Sequence, residues 1–386
     1  MSVVRRLFLF FFVTTFIASG SAQWTIENSN VTANLRGIHN VGAGVAWAVG
    51  TEGTILRTTD DGRTWKHCPV PPNAERLDFQ GIQAFDENTA VIMSSGPGDQ
   101  SRIYKTSDGC LTWVLLFTNP DAPNGSFKAI AFQTASGQNQ GRIGTLIGDP
   151  VKGKFFSYHF SMFSTYDYGK TWRSFNGPWK ASARHGEVLF AASNSSLIMV
   201  RNWPLFVTAG AYSRSRIVQE FVKHDPSIRV GYVGGDLPIQ HGKSAGAESI
   251  AAHLGPNNPP DSDSKFIFRA VQPGDVLVAV GGDSQHPENS AGTCAVSIDG
   301  SLHWSAPKTP PHGYRSAVAY DETTKTWITI GPNGTDISTD DGLNWHALEP
   351  ANGEPAGTDK NWNALSLPFV VGPDGRIGKL RADALK

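Results

Sequence analysis

The octet TTDDGRTW at Thr58–Trp65 decides the fold. It returns as TSDGCLTW (106–113), TYDYGKTW (165–172), SIDGSLHW (297–304) and STDDGLNW (338–345). Each copy has an acid in third place, a glycine in fourth or fifth, and a tryptophan in eighth. Successive tryptophans stand 48, 59, 132 and 41 residues apart, so the long gap has room for units whose octet has decayed. A recurrence of about 40–50 residues is the period of a propeller blade.

The residues around each octet repeat as well. LRGIHNV, VAWAVGTEG and TILRTTD precede the first turn, and TWKHC follows it; FQGIQAF, TAVIMSS, RIYKTSD and TWVLLF keep the same order around the second. Four short β-rich segments joined by glycine-bearing turns make one antiparallel blade. The octet is then the turn between third and fourth strands. Its short carboxylate accepts hydrogen bonds from nearby backbone N–H groups. Its glycine supplies a positive φ, its hydroxyl adds a local bond, and its tryptophan packs beneath the turn. The second and fourth octets carry their glycine one place early, at Gly109 and Gly300, so those turns are expected to differ in detail.

The chain therefore reads as all-β, a single seven-bladed β-propeller of four-stranded antiparallel blades over residues 23–382. Blades are expected near 35–70, 78–118, 127–176, 186–223, 247–306, 314–348 and 362–380. Blade four is read as EVLFAAS, SLIMVRN, PLFVTAGAY and SRIVQEFV, and blade five carries a surface insertion at 254–265. Blade seven has only three strands of its own. Trp24, in AQWTIEN, stands where an octet tryptophan would, so the strand at 23–28 is expected to complete the last blade and close the ring.

Composition agrees: 41 glycines, 24 prolines and 17% charged residues suit a turn-rich β protein. A formal net charge of −1 lacks the basic footprint of a nucleic-acid binder. Residues 1–22 read as a cleaved secretory signal, with Arg5 and Arg6 before a short apolar run and small residues before Gln23. This places the protein in the periplasm or outside the cell, with no membrane span after cleavage. Cys68, Cys110 and Cys294 are too few and too scattered for a disulfide framework; at most one pair can bridge.

The octets resemble the Asp-box (BNR) repeat of secreted propellers. The unit grammar, with LRGIHNVGAGVAWAVGTEGTILRTTDDGRTW, GYRSAVAY, AVGGD and VVGPDGRIGKL, is similar to the photosystem II stability/assembly-factor family of secreted bacterial propellers. The resemblance spans about 24–380. It implies a propeller that assembles or stabilises another protein, and it gives Asp60, Trp65, Asp108, Trp113, Asp167, Trp172, Asp299, Trp304, Asp340 and Trp345 a structural role.

Catalytic readings find little support in the residues. The octet aspartates recur once per blade, which separates them too widely for the paired carboxylates of glycoside hydrolysis. The Arg-Ile-Pro motif of sialidases is missing. The glycine-rich pieces open no helix, so a dinucleotide site lacks its context, and no histidine spacing suggests a metal. No catalytic residue, metal or cofactor is assigned. The heads of the first strands should ring one channel mouth, where Arg36, Lys128, Glu187, Glu248, Tyr314 and Arg315 are candidate binding residues for a carboxylate, a phosphate or an acidic segment of a partner. The expected function is a non-catalytic, monomeric scaffold for a protein partner or acidic ligand. The competing reading is a carbohydrate-binding or sialidase-like glycosidase propeller using Arg36 and Arg315.

Overall fold

The computed structural model describes residues 23–133, 141–153, 155, 157–175, 181–190, 193–219, 231–256, 271–272, 274–348, 355 and 357–385. The expected signal (1–22), most of the insertion at 254–265, and residues 220–223 of the expected fourth blade lie outside them.

β1 (Trp24–Glu27) belongs to the last blade. Blade one is β2 (Leu35–Gly42), β3 (Val45–Gly50), β4 (Ile55–Thr58) and β5 (Lys66–His67). Blade two is β6 (Asp78–Ala84), β7 (Ala90–Ser95), β8 (Arg102–Thr106) and β9 (Val114–Thr118). Blade three is β10 (Phe127–Phe132), β11 (Gly144–Lys152), β12 (Tyr158–Thr165) and β13 (Arg173–Ser174), with β14 (Ser182–Ala183) also on β12. After the short β15 (Glu187–Val188), blade four takes β16 (Leu197–Val200), β17 (Trp203–Val207), β19 (Ser215–Gln219) and β20 (Gly231–Val233). Between its second and third strands lies β18 (Ala209–Gly210). Blade five is β21 (Ala245–His253), β22 (Val276–Asp283) and β23 (Cys294–Ser297), with Ser305 bridging Val296 at the fourth position. Blade six is β24 (Ala317–Asp321), β25 (Thr326–Gly331), β26 (Gly334–Ser338) and β27 (His346–Ala347). Blade seven is β28 (Ala364–Ser366), β29 (Phe369–Val371) and β30 (Ile377–Leu380), closed by β1 with Trp24 opposite Leu380 and Glu27 opposite Ile377. We call the face where the inner strands begin the upper face. Strand alternation then puts the octet turns on the rim of the lower face.

Seven apolar clusters hold the ring together, one between each pair of neighbouring blades. A blade's faces are apolar on both sides because both are covered, so the inner strands bury nearly every residue. The octet tryptophans wedge into these seams. Trp65 meets Phe369 of blade seven edge-on at 5.7 Å. Trp113 donates to the Pro69 carbonyl beside blade one at 2.9 Å. Trp172 lies 6.3 Å from Phe117 of blade two, and Trp304 packs on Gly235 after blade four. Trp345 joins the valines of blade five. Trp24 does the same without an octet, donating to Thr335 Oγ1 of blade six at 3.1 Å. Each tryptophan thus faces the preceding blade, and Trp24 completes the seam between blades six and seven.

The turns are alike in all five copies. Asp60 Oδ1 accepts from Thr64 N at 2.9 Å and Oδ2 from Thr64 Oγ1 at 2.6 Å, while Thr58 Oγ1 donates to Asp60 at 2.8 Å and accepts from Gly62 N at 3.1 Å. Asp108, Asp167, Asp299 and Asp340 accept from the backbone of Thr112, Thr171, His303 and Asn344 at 2.9–3.0 Å. In octets two and four the expected difference lies in the side chains, with Ser301 Oγ accepting from Trp304 Nε1 at 3.1 Å, and not in the backbone. Fourth and fifth places both have positive φ in every copy: Asp61 65° and Gly62 88°, Gly109 70° and Cys110 71°, Gly300 75° and Ser301 67°. A glycine at either place removes one of two left-handed penalties, so its shift leaves the backbone of the turn unchanged. Cys110 also bonds covalently to Cys68, which ties the second octet to blade one.

Blade four departs from expectation. EVLFAAS is not its inner strand: Glu187–Val188 pairs with Ala209–Gly210 outside the blade, and β16 lies innermost. The segment that reaches the axis is a single 3-10 turn at Asn194–Ser196. Asn194 Oδ1 accepts from Ile130 N at 2.9 Å and its Nδ2 donates to Ile130 O at 2.8 Å. Ser195 Oγ meets Ser249 Oγ at 2.7 Å, and Ser193 Oγ donates to Ser316 O at 3.3 Å. Polar side chains of the turn thereby satisfy inner-strand groups of blades three, five and six, which an apolar run cannot do. The turn lies across the central channel.

Candidate functional site

The upper face holds the residues expected to ring the mouth, but it sorts them into separate pairs. Arg36 is half-buried, with Nη1 3.9 Å from Asp78 Oδ2. Lys128 Nζ lies 3.2 Å from Asp149 Oδ2, and burial raises the Asp149 pKa against the pull of Lys128. Glu248 and Tyr314 are both buried and adjacent; burial first, and Glu248 second, push the Tyr314 phenol well up. Arg315 is 1% exposed and directs its two terminal nitrogens inside the blade, to the carbonyls of Tyr314 (3.2 Å) and His312 (2.8 Å) and to the buried Asp336 carboxylate. His312 Nδ1 approaches the other Asp336 oxygen at 2.6 Å. A guanidinium so enclosed and matched does not reach a ligand in the channel.

Glu187 is not at the head of an inner strand. It is buried and accepts from Arg216 Nε at 2.9 Å, Arg216 Nη2 at 2.5 Å, Thr208 Oγ1 at 2.8 Å and the backbone of Arg184 at 2.8 Å. This bidentate anchor gathers a basic cluster that sequence reasoning missed. Arg216 lies over the Phe160 ring of blade three at 5.7 Å. Arg214 Nη1 is 2.6 Å from the exposed Asp236 carboxylate, outside hydrogen-bond geometry. Exposed Arg184 stacks 4.9 Å over the half-buried Tyr212 ring. Burial lowers the Arg214 pKa, Asp236 opposes it, and Arg184 and Arg216 lower it further, as expected for three guanidinium groups beside two carboxylates. Among the described residues Arg184 has no carboxylate within ion-pair reach. The legible signal was SRSR at 213–216, whose alternation puts Arg214 and Arg216 on one face of a strand.

The octet aspartates are engaged within their own turns. Hydrogen bonds from the Thr64 side chain, the Thr64 backbone and Thr58 hold Asp60 down at about 2, and the matching bonds do the same for Asp108. Among the described residues no group of three or more His, Cys, Asp or Glu is placed to hold a metal, and no helix is long and apolar enough to cross a membrane.

No protein-family model matches the chain, and no curated protein matches it in sequence. Solved structures match it nearly end to end. The structure "YCF48 bound to D1 peptide" is 15% identical, covers 94% of this chain and 98% of its own, and has a TM-score of 0.57. The chain is a seven-bladed propeller with the fold of YCF48. YCF48 from Cyanidioschyzon merolae, at 14% identity and TM-score 0.53, covers 93% of this chain and 99% of its own. An ancestral GH74 enzyme, at 11% identity and TM-score 0.54, covers 94% of this chain but only 46% of its own. The match to YCF48 is therefore mutual in length, whereas the GH74 enzyme carries as much chain again beyond the shared propeller.

Proposed function

We propose that the protein is a non-catalytic assembly or stability factor that holds an acidic segment of a partner protein on its upper face, beside blade four. The observation that carries this reading is the cluster of Arg184, Arg214 and Arg216 around Glu187, with Arg184 stacked on Tyr212. Among the described residues guanidinium groups outnumber carboxylates there, and Arg184 is presented at the surface on an aromatic platform. Planar guanidinium groups bind carboxylates through paired hydrogen bonds, and a stacked arginine loses little freedom on binding. Arg36 and Lys128, half-buried at the heads of β2 and β10, lie on the same face but are each paired with a carboxylate, Asp78 and Asp149. The fold shared with a YCF48 that binds a D1 peptide supports a peptide as the ligand. The Cys68–Cys110 disulfide supports a periplasmic or extracellular setting, where such bonds persist.

Fluorescence anisotropy with a labelled acidic peptide ending in a free carboxylate tests the reading. Charge-assisted bonds contribute about 1.5–3 kcal/mol each, so Arg184→Ala with Arg214→Ala should weaken binding at least 10-fold, and affinity should fall as salt rises. Unchanged affinity in the double variant refutes the site. Turnover of a glycoside by the wild type, without peptide binding, refutes the function and favours a hydrolase.

A further inference from the structure

Below the axial turn, on the lower-face side, lies a half-open pit lined by inner-strand residues of blades one to four and seven. Asn194 and Ser195 of the turn form part of its wall, and the segment is fixed to blades three, five and six by the bonds given above. The backbone of Gly81 in blade two runs so close that an added Cβ would stand 2.8 Å from Asn194 Oδ1. The cavity measures about 220 Å³ and is walled largely by aliphatic side chains of the inner strands, among them Ile38, Ile82, Ile130 and Leu197. Ile198 and Met199 are only half-buried; both line the pit and pack against the cores on either side of blade four. Among the described residues the wall of the pit contains no Asp, Glu, Lys or Arg.

Ser193, Asn194, Ser195 and Ser366 also line the pit, and one polar pair stands among the aliphatic residues of the inner strands. Gln83 Nε2 lies 2.8 Å from His39 Nε2 and 3.4 Å from the Ala84 carbonyl. The amide nitrogen donates, so His39 Nε2 accepts and the imidazole is neutral. Burial holds His39 at about 4, consistent with that state. Gln83 Oε1 then presents an acceptor at the wall, with no hydrogen-bond donor to it among the described residues.

We propose that this pit is a binding site for one small neutral molecule of single-ring size that carries one O–H or N–H group. Size, charge and polarity each narrow the choice. An apolar cavity of about 150 Å³ accepts benzene, so 220 Å³ accommodates a ring with a substituent or two. A charged ligand would be stripped of water with no counter-charge in the wall. A donor on the ring pairs with Gln83 Oε1, which a pure hydrocarbon leaves unmet. The site lies on the opposite side of the axial turn from the arginine cluster, so it stands or falls separately from the partner-binding reading.

Calorimetry and ligand-observed NMR on the full chain test it with three probes of similar outline: p-cresol, toluene and p-hydroxybenzoate. p-Cresol should bind one per chain, toluene about fivefold more weakly, and p-hydroxybenzoate should not saturate. Met199→Trp and Ile198→Trp, each adding an indole to the pit wall, should abolish p-cresol binding while leaving acidic-peptide binding unchanged. Absence of saturable p-cresol binding overturns the proposal. So does equal affinity for p-hydroxybenzoate, or p-cresol binding that survives in a folded tryptophan variant. The wild-type ranking of the three probes stands as a test even if both variants fail to fold.

Discussion

Truncating Trp24 tests how the ring is held. Trp24 is 1% exposed, packs 6.1 Å from Trp362, and donates to Thr335 of blade six. A buried tryptophan removes about 200 Å² from water, worth roughly 5 kcal/mol at about 25 cal/mol per Å². Alanine keeps a small part of that, and the lost indole hydrogen bond adds about 1 kcal/mol. Trp24→Ala should therefore cost about 4–5 kcal/mol, within the range for buried tryptophan truncations. At roughly 2–4 °C per kcal/mol for a large domain, the melting temperature falls by about 10 °C. Trp113→Ala is the control: Trp113 is half-buried at an equivalent seam, so it should cost less than half as much. Urea and thermal melts of both variants give the comparison. A cost below about 1 kcal/mol for Trp24→Ala, or a larger cost for Trp113→Ala, would falsify the claim that the N-terminal strand seals the ring.

Three further outcomes are expected. Replacing Cys68 and Cys110 by serine should cost about 4 kcal/mol, since the bond closes a loop of 42 residues; denaturant melts measure it, and an unchanged midpoint contradicts the cross-blade tie. Arg315→Met leaves buried Asp336 without its cation and should cost about 3–5 kcal/mol, whereas Arg36→Ala, across a part-exposed 3.9 Å pair, should cost under about 1 kcal/mol; equal effects would put Arg315 in the open mouth after all. Asp60 and Asp108 sit at about 2 when folded against an ordinary 3.8. A depressed folded value means their contribution is complete above about pH 4 and is lost as pH falls through about 2, so melts from pH 5 to pH 2 should steepen less in Asp60→Asn than in the wild type.

Local chemistry made the ring legible and left its axis obscure. The octets revealed the blades because each turn satisfies itself: acid, hydroxyl and backbone N–H groups lie within eight residues. The same locality explains why Trp24 could be placed without an octet of its own, since the missing strand of the last blade left one vacancy. Blade four defeated the reading because EVLFAAS is as apolar as a true inner strand. What distinguishes Asn194 and Ser195 is bonding to Ile130 and Ser249, 64 and 54 residues away in sequence. Arg315 and Glu187 were misjudged for a related reason. Their partners Asp336 and Arg216 lie 21 and 29 residues on, and only the folded strands show that these charges are matched and buried. Arg184 comes from the segment before blade four and meets SRSR only through Glu187, so no spacing announces the cluster. The expected variation among octets did not reach the backbone, because two successive left-handed residues make the glycine's place interchangeable.

The circular closure on which every later inference rests is open to direct measurement. Amide hydrogen exchange followed by mass spectrometry resolves the segments 24–27 and 377–380, which pair residue by residue in the last blade. The account predicts that both segments exchange slowly, at a common rate, and are released together on unfolding. Exchange of 24–27 within seconds while 377–380 stays protected would contradict it.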